Sequence, residues 1–186
     1  MKTTIAKLIL PILALGLQAL LFSGCASGFT RSPMSKDATA FKPSAASPIA
    51  EVNIELTPSV KEKLKDSLKF DRDNLRKTIE LALSNKLLFD SGKKASNPTL
   101  HITVTHVRVR NTFNAVMWGA MSGNDAIEGE VVVEDRAGAV MDRFAVKASY
   151  ALGGWAGGQD SMRMGWLYEA FAKEVVRAFT DEPKKD

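Results

Sequence analysis

The sequence predicts an α+β fold, a two-layer sandwich in which helices pack on one face of a four-stranded mixed sheet. Two segments carry apolar residues at helical spacing, and four segments alternate between apolar and polar residues as half-buried strands do. Their order along the chain is strand, helix, strand, strand, strand, helix. Because each helix has one apolar stripe and each strand one apolar face, two layers bury this surface with the least exposure.

The first strand-helix-strand unit begins at residue 49. Residues 49–56 alternate in polarity and predict a strand, and Thr57 and Pro58 then offer the start of a short surface helix. From Asp71 onward, apolar residues at every fourth position predict an amphipathic helix that ends near Asp90: Leu75, Ile79, Leu83 and Leu87. A unit of this kind favours a parallel pair of strands joined by a right-handed crossover.

A second strand and a closing helix show two further patterns. Residues 100–105 alternate, and the apolar phase then shifts to Val107 and Val109. Such a shift indicates a bulge or a strand that leaves its sheet. The closing helix is predicted from one apolar stripe: Met164, Leu167, Tyr168, Phe171, Val175 and Phe179.

The last two strands are predicted as a hairpin. Residues 127–133 and 140–150 alternate in polarity, and Asp135–Gly138 supplies the turn. With a four-residue loop, opposite charges face each other on the solvent side and help to set the register: Glu130 opposite Arg143, and Glu128 near Lys147.

The first 24 residues have the organisation of a bacterial signal peptide. A short basic start precedes the apolar run Leu8–Phe22. This run is too short and too interrupted to span a bilayer, since a spanning helix needs about 20 apolar residues. The run ends in Leu21-Phe22-Ser23-Gly24-Cys25, and Cys25 is the only cysteine of the chain. This stretch resembles the lipobox of bacterial lipoproteins, although Phe22 stands where an aliphatic residue is usual.

The resemblance implies that residues 1–24 are removed and that the Cys25 thiol carries a diacylglyceryl group. Two or more acyl chains hold a protein at a membrane essentially permanently. Ala26 is not the Asp that resembles an inner-membrane retention signal in enteric bacteria, so we expect the periplasmic face of the outer membrane. The other interpretation is an ordinary secretory signal cut after Ala26 or Ser27, which gives a soluble periplasmic protein.

The remaining chain divides into three parts. Residues 25–48 start with the lipidated cysteine and continue as an Ala-, Ser- and Pro-rich stretch without an apolar period, which predicts a disordered tether. A flexible chain of this length spans roughly 25–30 Å, so the folded part is expected to stand off the bilayer. Residues 49–181 predict a single globular domain, and residues 182–186 a polar tail.

Composition and motifs exclude several functions. The chain has 25 Lys and Arg against 21 Asp and Glu, a field too weak to indicate nucleic-acid binding. A single cysteine excludes an intrachain disulfide, and His101 and His106 fall on opposite faces of a regular strand unless a bulge brings them together. Asp71 and Asp73 are explained as helix-capping residues, and no nucleophile motif is present. We therefore predict no catalytic residue, no metal and no cofactor.

Two connectors form the candidate contact surface. The segment Ala115–Met121 has no charged residue, although loops are normally polar, and it either folds into the core or forms an apolar tip for a partner, a ligand or lipid. The second connector, Gly153–Gly158, precedes a helix and has a weaker interpretation as an anion-binding loop. Its tryptophan joins the same surface if both connectors lie at one end of the domain. The predicted contact residues are Val116, Met117, Trp118, Met121 and Trp155.

Taken together, these features resemble an uncharacterised family of Gram-negative lipoproteins that carry a domain of unknown function of the 4410 type. The resemblance rests on the lipobox, the tether, the helix closing on Asn85–Phe89, the run Leu100–Thr105, the Trp-bearing connector and the turn Asp135–Gly138, and it spans about residues 49–180. The family supplies no catalytic residues.

The function expected from this reasoning is a non-enzymatic, membrane-tethered binding or assembly module of the cell envelope, with another envelope protein as its partner. Two alternatives stay open at this point. One is a carrier or sensor of a small apolar or lipid ligand held between the sheet and the helices. The other is an enzyme with an unrecognised site.

Overall fold

The computed structural model describes residues 27–31, 40–65, 70–93, 97–110, 123–150 and 160–180. The strands are β1 (Gly28–Arg31), β2 (Glu51–Leu56), β3 (Thr99–Arg108), β4 (Asp125–Glu134) and β5 (Val140–Tyr150). The helices are α1 (Pro58–Leu64), α2 (Arg72–Ser84) and α3 (Asp160–Thr180), with a short 3₁₀ helix at Ser91–Lys93. Within these ranges, no helix combines the length and the apolar character that crossing a membrane requires.

The five strands form one sheet in the order β1-β5-β4-β3-β2. Strands β2 and β3 run parallel, and the other neighbouring pairs are antiparallel. The predicted α+β fold with a mixed sheet is confirmed. The predicted number of four strands is wrong by one, because Gly28–Arg31, within the segment expected to be a tether, pairs with β5 and extends the sheet.

The helices cover one face of the sheet. Buried side chains alternate along β2 to β5, and α2 and α3 pack against them and against each other. Gly129 on β4 permits this close approach, because a Cβ atom there would lie 3.3 Å from Cζ of Phe171 on α3. The opposite face carries half-buried and exposed polar residues such as Thr103 and Glu130.

Helix α2 begins where its cap was predicted. The side chain of Asp71 accepts a hydrogen bond from the backbone N–H of Asn74 at 3.0 Å, which satisfies one of the unpaired N–H groups of the first turn. The first three residues of the predicted stripe are fully buried: Leu75, Ile79 and Leu83.

The same helix ends earlier than predicted. The backbone N–H of Leu87 donates to the carbonyl of Ser84, and that of Leu88 donates to the carbonyl of Leu83, both at 2.9 Å. This pair of bonds is the Schellman motif, which places one residue in the left-handed region. Leu87 takes that position with φ of 59°, and 71% of its surface is exposed. The prediction that the buried stripe continues through Leu87 to Asp90 is therefore wrong.

The predicted irregularity in β3 is confirmed. The register with β4 shifts between Val104 and His106. After the shift Val107 is buried under the helices, while His106 is half-buried. The bulge therefore returns Val107 to the helix-covered face of the sheet, although the apolar residues change phase in the sequence.

The hairpin of β4 and β5 has a different register from the predicted one. Residues 135–139 form its turn, in which the Asp135 carboxylate accepts hydrogen bonds from two later backbone N–H groups at 2.8 Å. Glu130 consequently lies two positions away from its predicted partner Arg143, and that pairing is wrong. Glu128 does lie opposite Lys147, with Oε1 and Nζ 2.7 Å apart.

Helix α3 buries its predicted stripe against the sheet and α2. Every residue of that stripe is at most 3% exposed. Within it, the hydroxyl of Tyr168 accepts a hydrogen bond from the backbone N–H of Asp71 at 2.6 Å and so joins α3 to the start of α2. The Tyr168 ring also packs edge-on against Phe70, with centroids 5.8 Å apart. Burial raises the pKa of Tyr168 to about 12.

Strand β1 is held to the rest of the domain by Arg31. Its guanidinium group forms an ion pair with Asp142 on β5 and donates to the backbone carbonyl of Ala178 on α3. The same group lies 5.3 Å from the ring centroid of Phe144, within the range of a cation–π interaction. These contacts attach the edge strand to both layers.

Candidate functional site

Both predicted connectors leave the sheet at the same end. Strand β3 leads to Arg110 before the first connector, and β4 begins at Asp125 after it. Strand β5 ends at Tyr150, which lies opposite Asp125, before the second connector leads to α3. We call the end of the sheet formed by Arg110, Asp125 and Tyr150 the connector end. Strand β1 begins at this end too, since Gly28 lies opposite Lys147.

A buried cluster of Arg110, Asp125 and Arg163 closes the connector end. These residues are 5%, 1% and 1% exposed. Oδ1 of Asp125 accepts hydrogen bonds from the backbone N–H of Arg110 at 2.7 Å and from its Nε at 3.4 Å. Oδ2 accepts from Nη1 of Arg163 at 3.0 Å and from Nη2 of Arg110 at 3.3 Å. One carboxylate therefore compensates two guanidinium groups that are removed from water.

The cluster joins the residues that flank both connectors. The bonds between Arg110 and Asp125 join the two ends of the first connector. Tyr150 and Arg163 flank the second connector. Arg110 donates to the carbonyl of Tyr150 at 3.5 Å, and Arg163 donates to the carbonyl of Arg110 at 3.1 Å, so both flanks are bonded to Arg110. Removing one partner of such a buried pair costs about 3–5 kcal/mol. The arrangement holds together the residues that flank both connectors.

Tyr150 extends this cluster toward α3. Its ring lies 5.1 Å from the ring of Trp166, at an interplanar angle of 44°. Burial raises the pKa of Tyr150, and the charge of Asp125 raises it further, while Arg110 and Arg163 lower it. The net effect favours the neutral phenol, so the Tyr150 hydroxyl stays protonated at neutral pH.

The predicted site residues all lie outside the described residues. Cys25 precedes Ser27, the first described residue, by two positions. Four contact residues, Val116, Met117, Trp118 and Met121, belong to residues 111–122, and Trp155 belongs to residues 151–159. The two interpretations of the first connector, core or apolar tip, therefore stay predictions. The flanks of both connectors do meet at the connector end, as a shared contact surface requires.

The two histidines lie on β3. Nε2 of His101 is 3.4 Å from Oε2 of Glu134, and His106 lies opposite Glu128. The bulge between them places both histidines on the polar face of the sheet, where each is half-buried. No group of three or more metal-ligating side chains occurs within the described ranges.

Sequence reasoning missed the buried cluster, although two of its members carry a signal. Asp125 lies two residues before Ile127, so the strand alternation places it on the buried face. Arg163 lies four residues before Leu167, so the helical period places it on the buried stripe. Opposite charges on two buried faces predict an ion pair. Arg110 lies beyond the end of β3 and has no such signal.

The fold and the connector end define a class of protein: an α+β domain with one helix-covered sheet face and two connectors tied to a buried charged cluster. The sequence goes further, because the domain of unknown function DUF4410 matches residues 34–154. The chain belongs to this family, so the predicted resemblance to proteins that carry this domain is confirmed, over residues 34–154 instead of about 49–180. The lipobox stays a prediction. The match includes β2 to β5 and the first connector.

Solved structures give a more distant likeness. A PelC dodecamer from Paraburkholderia phytofirmans, a point mutant, is 11% identical with a TM-score of 0.49, and the alignment covers 84% of this chain and 100% of that chain. A second PelC dodecamer from the same organism is 12% identical with a TM-score of 0.47, covering 80% and 97%. None of the curated proteins matches the chain. Similarity at this level assigns neither an assembly nor a function.

Proposed function

We propose that the chain is a lipid-anchored, non-enzymatic binding or assembly module on the periplasmic face of the outer membrane. Cys25 is its anchor, and the partner is another envelope protein. Its contact surface lies on the two connectors: Val116, Met117, Trp118, Met121 and Trp155. The observation that carries the proposal is that the flanks of both connectors lie at the connector end together with Ser27, which follows Cys25 by two residues.

The start of β1 supports an oriented anchor. The backbone N–H of Ser149 on β5 donates to Oγ of Ser27 at 3.0 Å, so the chain joins the sheet two residues after Cys25. Two residues span at most about 7 Å. A lipid on Cys25 therefore brings the connector end to the membrane surface, instead of leaving the domain on a flexible stand-off of roughly 25–30 Å.

The connectors have the composition of a contact surface. The segment Ala115–Met121 is uncharged and contains Met117 and Trp118, residue types that are enriched where proteins meet. The buried cluster fixes the ends of both connectors. Fixed ends lower the entropy that a loop loses when it binds, so the cluster favours binding through the connectors.

The packing of the domain favours a binding module over a carrier. A carrier needs room between the sheet and the helices, and in the described part of the chain this layer contains closely packed side chains such as Leu75, Ile102 and Phe171, at most 1% exposed.

Site-specific crosslinking in cells tests the proposal. A photo-crosslinking amino acid replaces Trp118 in one strain and Arg136 in another. Arg136 is exposed in the turn at the opposite end of the sheet and serves as the matched control. We expect position 118 to yield one discrete crosslinked envelope protein and position 136 to yield none. Equal crosslinking from both positions, or none from 118, contradicts a partner surface on the connectors.

A further inference from the structure

Three uncharged side chains form a patch at the connector end, where β5 ends and helix α3 begins. Met162 and Trp166 are one helical turn apart, so they lie on the same face of α3. The ring of Trp166 lies 5.1 Å from the ring of Tyr150, the last residue of β5. Met162 is 51% exposed, and both rings are half-buried. We call these three residues the aromatic patch.

The exposed side of α3 changes in character along the helix. Gly165 lies next to Trp166, and a Cβ atom there would meet no atom of the described residues within 4 Å, so the space beside the patch is open. Farther along the same face, Glu169 and Lys173 are exposed. Lys173 lies about 16 Å from Met162 along the axis, at the usual helical rise. This face is therefore apolar at the connector end and charged away from it.

The predicted anchor reaches the same end of the domain. Oγ of Ser27 accepts a hydrogen bond from the backbone N–H of Ser149, the residue before Tyr150. The chain between Cys25 and Ser27 spans at most about 7 Å. A diacylglyceryl group on Cys25 has its glycerol at the depth of the phospholipid headgroups, so the lipid brings the aromatic patch to the bilayer surface. Tyrosine and tryptophan are enriched at this depth, because their rings have both an apolar body and a polar group.

We propose that the aromatic patch is a membrane-contact surface that enters the headgroup region of the bilayer holding the lipid of Cys25. The proposal rests on the lipidation of Cys25 in the proposed function, and it adds a second membrane contact and an orientation. In this orientation Glu169 and Lys173 stay in water. Two contacts restrict the rotation of the domain about its anchor and hold the flanks of both connectors at the bilayer surface. A protein that binds the connectors must then present its binding site at that surface.

Quenching of Trp166 fluorescence by brominated phospholipids tests the proposal. The chain has three tryptophans, so Trp118→Phe and Trp155→Phe together leave Trp166 as the only one. The full chain is purified with its own anchor and reconstituted into vesicles of phosphatidylcholine, either unbrominated or with bromine on the upper part of the acyl chains. Bromine quenches tryptophan only at close range. The control adds Trp166→Phe and Lys173→Trp, which moves the tryptophan about 10 Å along the same helix.

We expect the fluorescence of Trp166 to be at least about twofold weaker in the brominated vesicles, because a tryptophan at headgroup depth lies next to the upper acyl chains. The tryptophan of the control should fluoresce equally in both. Met162→Glu places a charge in the patch and should remove most of the quenching of Trp166. The matched variant Leu81→Glu changes a 63% exposed apolar residue that lines a groove together with Lys173, and it should leave the quenching unchanged. The unfolding midpoint of each variant reports whether its fold is intact.

Three outcomes overturn the proposal. Equal fluorescence of Trp166 in both vesicle types excludes a membrane contact. Equal quenching of Trp166 and of the control tryptophan shows that the domain has no preferred orientation. Unquenched Trp166, together with a photo-crosslinking amino acid at Met162 that captures a discrete protein in cells, shows that another protein or a second copy of this chain covers the patch.

The mass of the amino-terminal peptide from the same sample separates the failure of this inference from that of the proposed function. If Trp166 is unquenched and the lipid is present on Cys25, only the membrane contact of the patch fails. If the lipid is absent, both fail.

Discussion

Replacing Asp125 by Asn tests whether the buried cluster holds the connector end together. The substitution keeps the shape of the side chain but removes the charge that compensates Arg110 and Arg163, both at most 5% exposed. It also turns an N–H₂ group toward one of the guanidinium groups. Because two buried cations lose their counter-ion, we expect the free energy of unfolding to fall by about 3–5 kcal/mol. That is a large part of the roughly 5–15 kcal/mol typical of a domain.

Equilibrium unfolding in urea, followed by tryptophan fluorescence and circular dichroism, measures this loss. The control is Glu128→Gln, which breaks a surface pair whose side chains are 37% and 56% exposed and is expected to cost less than about 1 kcal/mol. Adding Arg163→Met to Asp125→Asn removes one uncompensated cation, so the double variant should regain at least about 1 kcal/mol. If Asp125→Asn lowers the free energy of unfolding no more than Glu128→Gln does, the buried cluster does not hold the connector end together.

Three smaller perturbations test the packing. Tyr168→Phe removes the acceptor for the N–H of Asp71 and should cost about 1 kcal/mol in urea unfolding at pH 7. The pKa of Tyr168 is about 12 in the folded state and 10.0 is the ordinary value, so the unfolded state loses the phenol proton first as the pH rises. The free energy of unfolding of the parent chain should therefore fall between pH 10 and 12. Tyr168→Phe should remove the part of this fall that comes from Tyr168. Leu87→Gly should raise stability by about 0.5–1 kcal/mol, because φ of 59° is strained for leucine; a lower unfolding midpoint would count against the cap. Gly129→Ala should cost about 1–3 kcal/mol, because the new Cβ atom would lie 3.2 Å from the backbone oxygen of Thr103 and 3.3 Å from Cζ of Phe171; an unchanged midpoint would argue against these close contacts.

The sequence predicts those elements whose apolar period runs over several turns or alternations. The stripe from Leu75 to Leu83 and that of α3 are buried as predicted, because each places one continuous face against the sheet. The phase shift at Val107 likewise predicts an irregularity in β3, because every buried strand residue must return to the same face, and of the two predicted forms the structure has the bulge. These features depend on local periodicity, which a single sequence contains.

The features that the sequence does not predict depend on distant or turn-specific contacts. Strand β1 has four residues and no apolar alternation, and its place depends on Arg31 reaching Asp142 and Ala178. The hairpin register depends on how Asp135 binds the backbone of its own turn. The end of α2 depends on Leu87 adopting a conformation usually reserved for glycine. Of the buried cluster, only Asp125 and Arg163 have a periodic signal.

The chemical state of Cys25 is the most direct test of the account, since the orientation of the connector end depends on it. The protein is purified from membranes of a cell that processes lipoproteins, and its amino-terminal peptide is measured by mass spectrometry. The account predicts a peptide that begins at Cys25 and carries a thioether-linked diacylglyceryl group. A peptide with a free thiol at Cys25, or one that begins at another residue, contradicts it.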